Sequence, residues 1–319
     1  MSKTKRINLA NIPTPLQKIS FEGKEILIKR DDLTGVELTG NKVRKLEYLL
    51  AEAKKEKDNY IFTCGGEQSN HARATVIAAS KLGFKTRLFL WGKSSGRADG
   101  NNFFYKYFNA DTVYLDDREY ENVNQVMSEA RSSLVKKGKK VFVIPEGGST
   151  STGIKGYVDF IDELQNQINL KKIDGIVLAA GTGGTAAGIL AGLSHKKLNT
   201  KVYAVNVLYN REEITKKIMT LTEACVLEHN LKSKFYPEQL VVLDGYSKEG
   251  YKNISKEKLL LIKRFAKSTG IILDPAYTGK AFYAFYKNFI TKKKTATNIF
   301  LHTGGIWGVI GKKEKYLNT

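Results

Sequence analysis

The chain has 319 residues, 42% of them hydrophobic and 26% charged, a globular composition long enough for one or two domains with substantial cores. Its 52 Lys and Arg against 32 Asp and Glu give a net charge of +20, which raises a nucleic-acid-binding reading. The basic residues are spread along predicted helix surfaces, as in Lys54-Lys55-Glu56-Lys57, with no finger or RNP-like motif, so a solvated surface that steers anionic ligands accounts for them better.

In chain order, the first clear element is a helix over 43–53, where Val43, Leu46, Leu49, Leu50 and Ala53 recur at helical spacing. Strands follow at 61–64, 86–90, 141–144, 176–180, 202–205, 240–243 and 299–302. Between or beside them lie helices over 71–82, 121–137, 157–167, 184–193, 256–267 and 279–290. Near-continuous apolar strands alternating with helices predict parallel sheet covered on both faces. Glycine clusters fall at strand ends, at Gly65-Gly66, Gly147-Gly148, Gly181 to Gly184 and Gly304-Gly305, which predicts a site assembled from several loops at a cleft.

No run approaches the roughly 20 apolar residues of a membrane helix. Met1 to Arg6 is basic but leads into no apolar signal core, so a cytoplasmic location is expected. Cys64 and Cys225 make neither a disulfide framework nor a CxxC pair, and His71, His195, His229 and His302 lack zinc spacing; no metal is expected.

The strongest local signal is the buried strand 176–180 running into Gly181-Thr182-Gly183-Gly184-Thr185 and a small-residue helix. Backbone N–H groups and the helix dipole make such a turn an anion cradle, although a tight turn serving only packing has the same sequence. The GxxxxGK[ST] lysine of a nucleotide loop is missing, and so is the GxGxxG order of a dinucleotide fold. Upstream, Gly40-Asn41 turns the chain ahead of a helix and leaves Lys42 in its first turn. Desolvation there lowers an amine's pKa and makes it a nucleophile, but taken alone Lys42 reads better as a plain surface lysine at a helix start.

Taken together, Pro13-Thr14-Pro15-Leu16, Lys29-Arg30-Asp31-Asp32, Gly40-Asn41-Lys42-Val43-Arg44-Lys45-Leu46-Glu47, Gln68-Ser69-Asn70-His71, Pro145-Glu146-Gly147-Gly148-Ser149, the 181–185 loop, Leu273-Asp274-Pro275-Ala276-Tyr277-Thr278-Gly279-Lys280 and His302-Thr303-Gly304-Gly305 cover nearly the whole chain in order. With them the chain resembles the fold type II pyridoxal phosphate enzymes, specifically the D-cysteine desulfhydrase and 1-aminocyclopropane-1-carboxylate deaminase family. The resemblance implies an α/β fold like the tryptophan synthase β chain: two open parallel-sheet domains with pyridoxal 5'-phosphate in the cleft. It implies a larger domain of residues 1–50 plus 165–319, a smaller one of 51–164, and a homodimer.

By the same resemblance Lys42 holds the cofactor covalently and moves the substrate's α-proton. Gly181, Thr182, Gly183, Gly184 and Thr185 hold its phosphate, Asn70 bonds its 3′ oxygen, Tyr277 packs on its ring and Thr303 faces its pyridine nitrogen. Gln68, Ser69, Asn70 and His71 are expected to grip the substrate carboxylate, with Ser69, Tyr251 and Tyr277 taking part in catalysis. Helix capping is an alternative role for Ser69 and Asn70, and plain core packing for either tyrosine. The implied reaction is β-elimination, with D-cysteine giving pyruvate, ammonia and sulfide. Deamination of aminocyclopropane carboxylate and sulfite elimination from L-cysteate are the alternatives. Thr278 stands where the deaminase branch has an acidic residue, which favours the desulfhydrase branch. Glu67 and Ile306-Trp307-Gly308 also depart from the family pattern.

Overall fold

The computed structural model describes residues 6–232, 237–251, 253–292 and 297–317. Ten strands, β1 (Leu16–Phe21), β2 (Lys24–Arg30), β3 (Tyr60–Gly66), β4 (Lys85–Trp91), β5 (Asp111–Leu115), β6 (Val141–Val143), β7 (Gly175–Ala180), β8 (Lys201–Asn206), β9 (Leu240–Leu243) and β10 (Asn298–His302), form two sheets. The larger has the order β1-β2-β10-β7-β8-β9 and the smaller β5-β4-β3-β6. Every pairing is parallel except the β1–β2 hairpin. Both sheets are therefore of the open, parallel kind expected.

Strand β7 explains why the larger sheet is covered on both faces. Ile176, Leu178 and Ala180 enter a core built with helices Ser151–Gln165 and Gly184–His195. The alternate residues Val177 and Ala179 enter a second core built with helices Lys256–Thr269 and Thr278–Phe285. A period of two carrying apolar side chains to both faces is what a central parallel strand requires. Helix Lys42–Lys55 packs instead on the smaller sheet, its Val43, Leu46, Leu49, Leu50 and Ala53 meeting Ile61 and Ile144. The expected domain limits both fall within helices, 50/51 in Lys42–Lys55 and 164/165 at the end of Ser151–Gln165.

Other departures have local causes. The predicted 121–137 helix is broken at Asn122 into Asp117–Glu121 and Val123–Lys136, the first closed by a capping box between Asp116 and Glu119. The 279–290 helix ends at Phe285 and continues as a π turn over Tyr286–Ile290. Helix Arg211–Glu228 gave no amphipathic signal because its buried stripe is only Ile214, Ile218, Thr222 and Cys225.

The Lys42 helix is fixed by a buried charge cluster. Arg44 donates through Nε and Nη2 to Asp31 at 2.9 and 2.8 Å, and through Nη1 to Glu163 at 2.8 Å. Lys29 Nζ donates to Glu163 at 2.5 Å and the Tyr157 hydroxyl to Asp31 at 2.5 Å. Burial alone would raise the Asp31 carboxyl, but Arg44, Tyr157 and Lys29 hold it below its ordinary range. Breaking such a pair strands an uncompensated charge at a cost of about 3–5 kcal/mol. Arg44→Met is therefore expected to lower unfolding free energy by about that much in urea denaturation, whereas a loss within 1 kcal/mol (roughly that of a surface pair) would contradict the cluster's role.

Candidate active site

Arg44 follows Lys42 by two positions, which turns their side chains to opposite faces of the helix. Arg44 is anchored away from the cleft, and Lys42 faces into it. The loop ahead of Lys42 is pinned as well. Gly40 (φ +95°) lies against the turn after β10, where a Cβ would sit 2.9 Å from the Thr303 carbonyl, and the Asn41 N–H donates to that carbonyl at 3.0 Å. Arg73, fully buried in helix Asn70–Lys81, donates to the carbonyls of Glu37 and, at 2.8 Å, Thr39.

A cleft of about 450 Å³ opens at the carboxyl ends of β3, β6, β7 and β10. Lys42, Ser69, Asn70, His71, Gly181 to Thr185, Tyr251, Tyr277 and Thr303 all line it. Burial pulls the Lys42 amine down to about 8, reinforced by Arg73 and opposed by Glu146 and Asp274. Its Nζ donates to Asn41 Oδ1 at 3.1 Å, while Asn41 Nδ2 donates to Thr185 Oγ1 at 2.9 Å, tying the amine to the glycine loop.

Ser69 caps helix Asn70–Lys81, accepting the Ala72 N–H at 3.2 Å. Asn101 Nδ2 donates to Asn70 Oδ1 at 3.0 Å and to the Gln68 carbonyl at 2.8 Å, so the Asn70 amide keeps its own Nδ2 as a donor. Tyr277 lies against the glycine loop, its ring 3.1 Å from where a Gly181 Cβ would be. Its hydroxyl is 2.8 Å from that of Tyr251, the rings edge to face at 5.5 Å. Burial pushes Tyr251 up to about 12 and Tyr277 upward too, so both stay protonated at neutral pH. His71 is buried on Thr63 at 2.9 Å; burial, then Lys42 and Lys45, keep its imidazole neutral.

Gln68 does not join them. Its amide receives the Asn101 N–H at 2.9 Å and donates to the Asp99 carbonyl at 3.2 Å, outside the cleft lining. Glu67 likewise anchors a neighbouring loop, accepting from Ser95 N–H, Asn102 and Tyr114. Trp307 packs on Phe104, and Thr278 spends its hydroxyl on Asp274 at 2.7 Å. The family-pattern departures at these positions thus fall outside the cleft lining.

Lys45, one helical turn beyond Lys42, was not singled out in the sequence. It is 1% exposed, and its ammonium donates to the Gly147 carbonyl at 3.1 Å and Ser149 Oγ at 3.2 Å. Burial, with Lys42 as the neighbouring charge, lowers its pKa well below the ordinary value. It sits 2.6 Å from where a Gly184 Cβ would be, at the start of helix Gly184–His195. An uncompensated buried cation, a helix N-terminus and a cradle that only glycine leaves open together fit a phosphate dianion.

Known proteins resemble this chain over nearly its whole length. The family model for pyridoxal-phosphate dependent enzymes matches residues 7–304. A putative 1-aminocyclopropane-1-carboxylate deaminase of Thermotoga maritima is 40% identical, covering 97% of this chain and 99% of that protein. A bifunctional D-cysteine desulfhydrase/1-aminocyclopropane-1-carboxylate deaminase of Arabidopsis thaliana is 37% identical over 97% of this chain and 80% of its own length. A crystal structure of an ACC deaminase homologue superposes with a TM-score of 0.91 at 36% identity, covering 99% and 97% of the two chains.

Two outcomes are expected. Uptake of pyridoxal phosphate by apoenzyme, followed by absorbance, should accelerate with pH as Lys42 loses its proton, with a midpoint near 8; a flat profile from pH 6 to 10 (a span of roughly two units either side) would contradict this. Lys45→Ala should weaken cofactor retention about 10- to 100-fold, the value of a charged hydrogen bond, and unchanged retention would remove Lys45 from the phosphate site.

With the glycine cradle, the Lys42 amine and the matched sequences in view, the chain belongs to the pyridoxal-phosphate dependent enzymes of fold type II, in the group holding 1-aminocyclopropane-1-carboxylate deaminases and D-cysteine desulfhydrases.

Proposed function

We propose that this enzyme catalyses β-elimination from a small β-substituted amino acid, D-cysteine first, giving pyruvate, ammonia and hydrogen sulfide. The observation that carries the reading is the convergence of Lys42, Ser69, Asn70, Tyr277 and Thr303 with the glycine loop on one cleft. Pyridoxal phosphate, when bound, withdraws electrons from the substrate's α-carbon and acidifies its proton. Gly181 to Thr185 and Lys45 hold the phosphate, and Asn70 offers its amide N–H to the ring's 3′ oxygen. Ser69 and the first N–H groups of helix Asn70–Lys81 bind the substrate carboxylate. The freed Lys42 amine takes the α-proton as general base. The Cβ–S bond then breaks with its electron pair on sulfur, and the unsaturated amine released is hydrolysed to pyruvate and ammonia.

The choice of elimination over deamination is supported at the pyridine nitrogen. Thr303 is the hydroxyl matched to that nitrogen, and Thr278, where the deaminase branch is acidic, is turned into Asp274. A neutral partner leaves the ring a weaker electron sink, which suits a reaction whose leaving group carries the electrons away. Deamination of aminocyclopropane carboxylate has the relatives' names in its favour. We also propose a cytoplasmic homodimer. The family resemblance supports the dimer, and two free buried cysteines suit a reducing compartment.

Holoenzyme offered D-cysteine, L-cysteine, β-chloroalanine, L-cysteate and aminocyclopropane carboxylate should yield most pyruvate from D-cysteine, matched by sulfide; α-ketobutyrate from the cyclopropane as the main product would overturn this. Lys42→Ala should lose at least about 10²–10⁴-fold in turnover, the worth of a general base, and near-wild-type activity would refute the mechanism.

A further inference from the structure

Of the charged groups lining the cleft, the cations are Lys42 and Lys45, and the acids are Asp117, Glu121 and Glu146. Both cations are committed under the proposed function, one to the α-carbon and one to the phosphate. Asp117 already accepts the Trp91 indole N–H at 2.6 Å and lies at the exposed rim. Glu146 is different. It follows β6 on the turn whose Gly147 carbonyl receives Lys45, and its Oε1 accepts the Tyr120 hydroxyl at 3.2 Å. No other hydrogen bond to its carboxylate is present among the described residues. It lines the cleft with Lys42, Tyr209, Tyr251 and Tyr277, and its charge acts on all four, while burial raises its own carboxyl against the pull of Tyr120, Lys42 and Lys217.

A substrate's β-substituent entering this cleft meets a carboxylate and aromatic rings; among the described lining residues no further cation is left to compensate a negative charge, and Lys217, whose charge also acts on Glu146, lies outside the lining. We propose that Glu146 sets specificity by charge, admitting substrates whose β-substituent is neutral or cationic and rejecting those with an anionic one. The physical basis is the cost of bringing like charges together where water is scarce. A thiol, a chloride or an ammonium passes this filter, whereas a sulfonate or carboxylate does not. L-Cysteate then becomes a poor substrate for a reason located in one side chain. This inference rests on the cleft being the amino-acid site, and it adds the substrate's charge class to that reading.

Asparagine and aspartate test it, because they are nearly isosteric, differ by one charge and carry no leaving group. Calorimetric titration of holoenzyme with both enantiomers should show asparagine, and 2,3-diaminopropionate, binding at least about tenfold more tightly than aspartate. Glu146→Gln should bring the asparagine-to-aspartate ratio within about twofold, and Glu146→Asp, which retains the charge, should keep the wild-type preference. Equal affinities in the wild type, no detectable asparagine binding, an unchanged ratio in Glu146→Gln, or a ratio lost equally in Glu146→Asp would each overturn the proposal. Sulfide release is not part of this readout: a failed D-cysteine assay beside an intact charge preference removes only the β-elimination reading.

Discussion

The structure depends on a neutral cluster of two cations and two anions, Lys29, Arg44, Asp31 and Glu163, at the junction of β2 with the helices Lys42–Lys55 and Ser151–Gln165. Each charge would be costly to bury alone, and together they are almost fully hydrogen-bonded, with Thr14 and Tyr157 supplying further donors. Arg44 and Lys29 also lie over the Phe160 ring, at 5.1 and 5.6 Å. The cluster joins segments from the larger sheet to a helix packed on the smaller one. It therefore fixes the rotation of the helix that carries Lys42.

Much of the chemistry follows from that rotation. With Arg44 anchored behind it, the helix turns Lys42 and Lys45 together toward the cleft, and neither pairs with a carboxylate among the described residues. Both amines are held below their ordinary pKa by burial. Under the proposed function one serves as nucleophile and base, and the other holds the phosphate dianion. The same loop system sets the opposite wall. Gly40 and Gly304 pack so closely that a side chain on Gly304 would lie 2.8 Å from the Gly40 Cα, bringing Thr303 against the Lys42 turn. Asn101 fixes the Asn70 amide from behind.

The fold was legible because its signals are local. Apolar strands, glycine at strand ends and the period of the Lys42 helix each occupy a few consecutive residues. The site was legible only through an ordered set of motifs, since Lys42 by itself looks like any lysine at a helix start. What escaped detection was set by distant partners. Asp31, Arg44 and Glu163 lie far apart in the chain, so the Lys29-Arg30-Asp31-Asp32 motif matched the family without disclosing that two of its members belong to a buried ionic cluster. Lys45 did carry a local signal: it stands four residues before Leu49 on a buried helix face, where an ordinary solvated lysine does not belong. Gln68 is the converse case: its motif neighbours Ser69 and Asn70 line the cleft, while its own amide is taken up by Asn101 and Asp99.

Under the proposed function this geometry selects one lysine among many, and its neighbour one turn away has a different task. Borohydride reduction of the holoenzyme followed by peptide mapping separates the two directly. The cofactor is expected on Lys42 alone, with Lys45 unmodified. Label on Lys45, or shared between the two, would contradict the account.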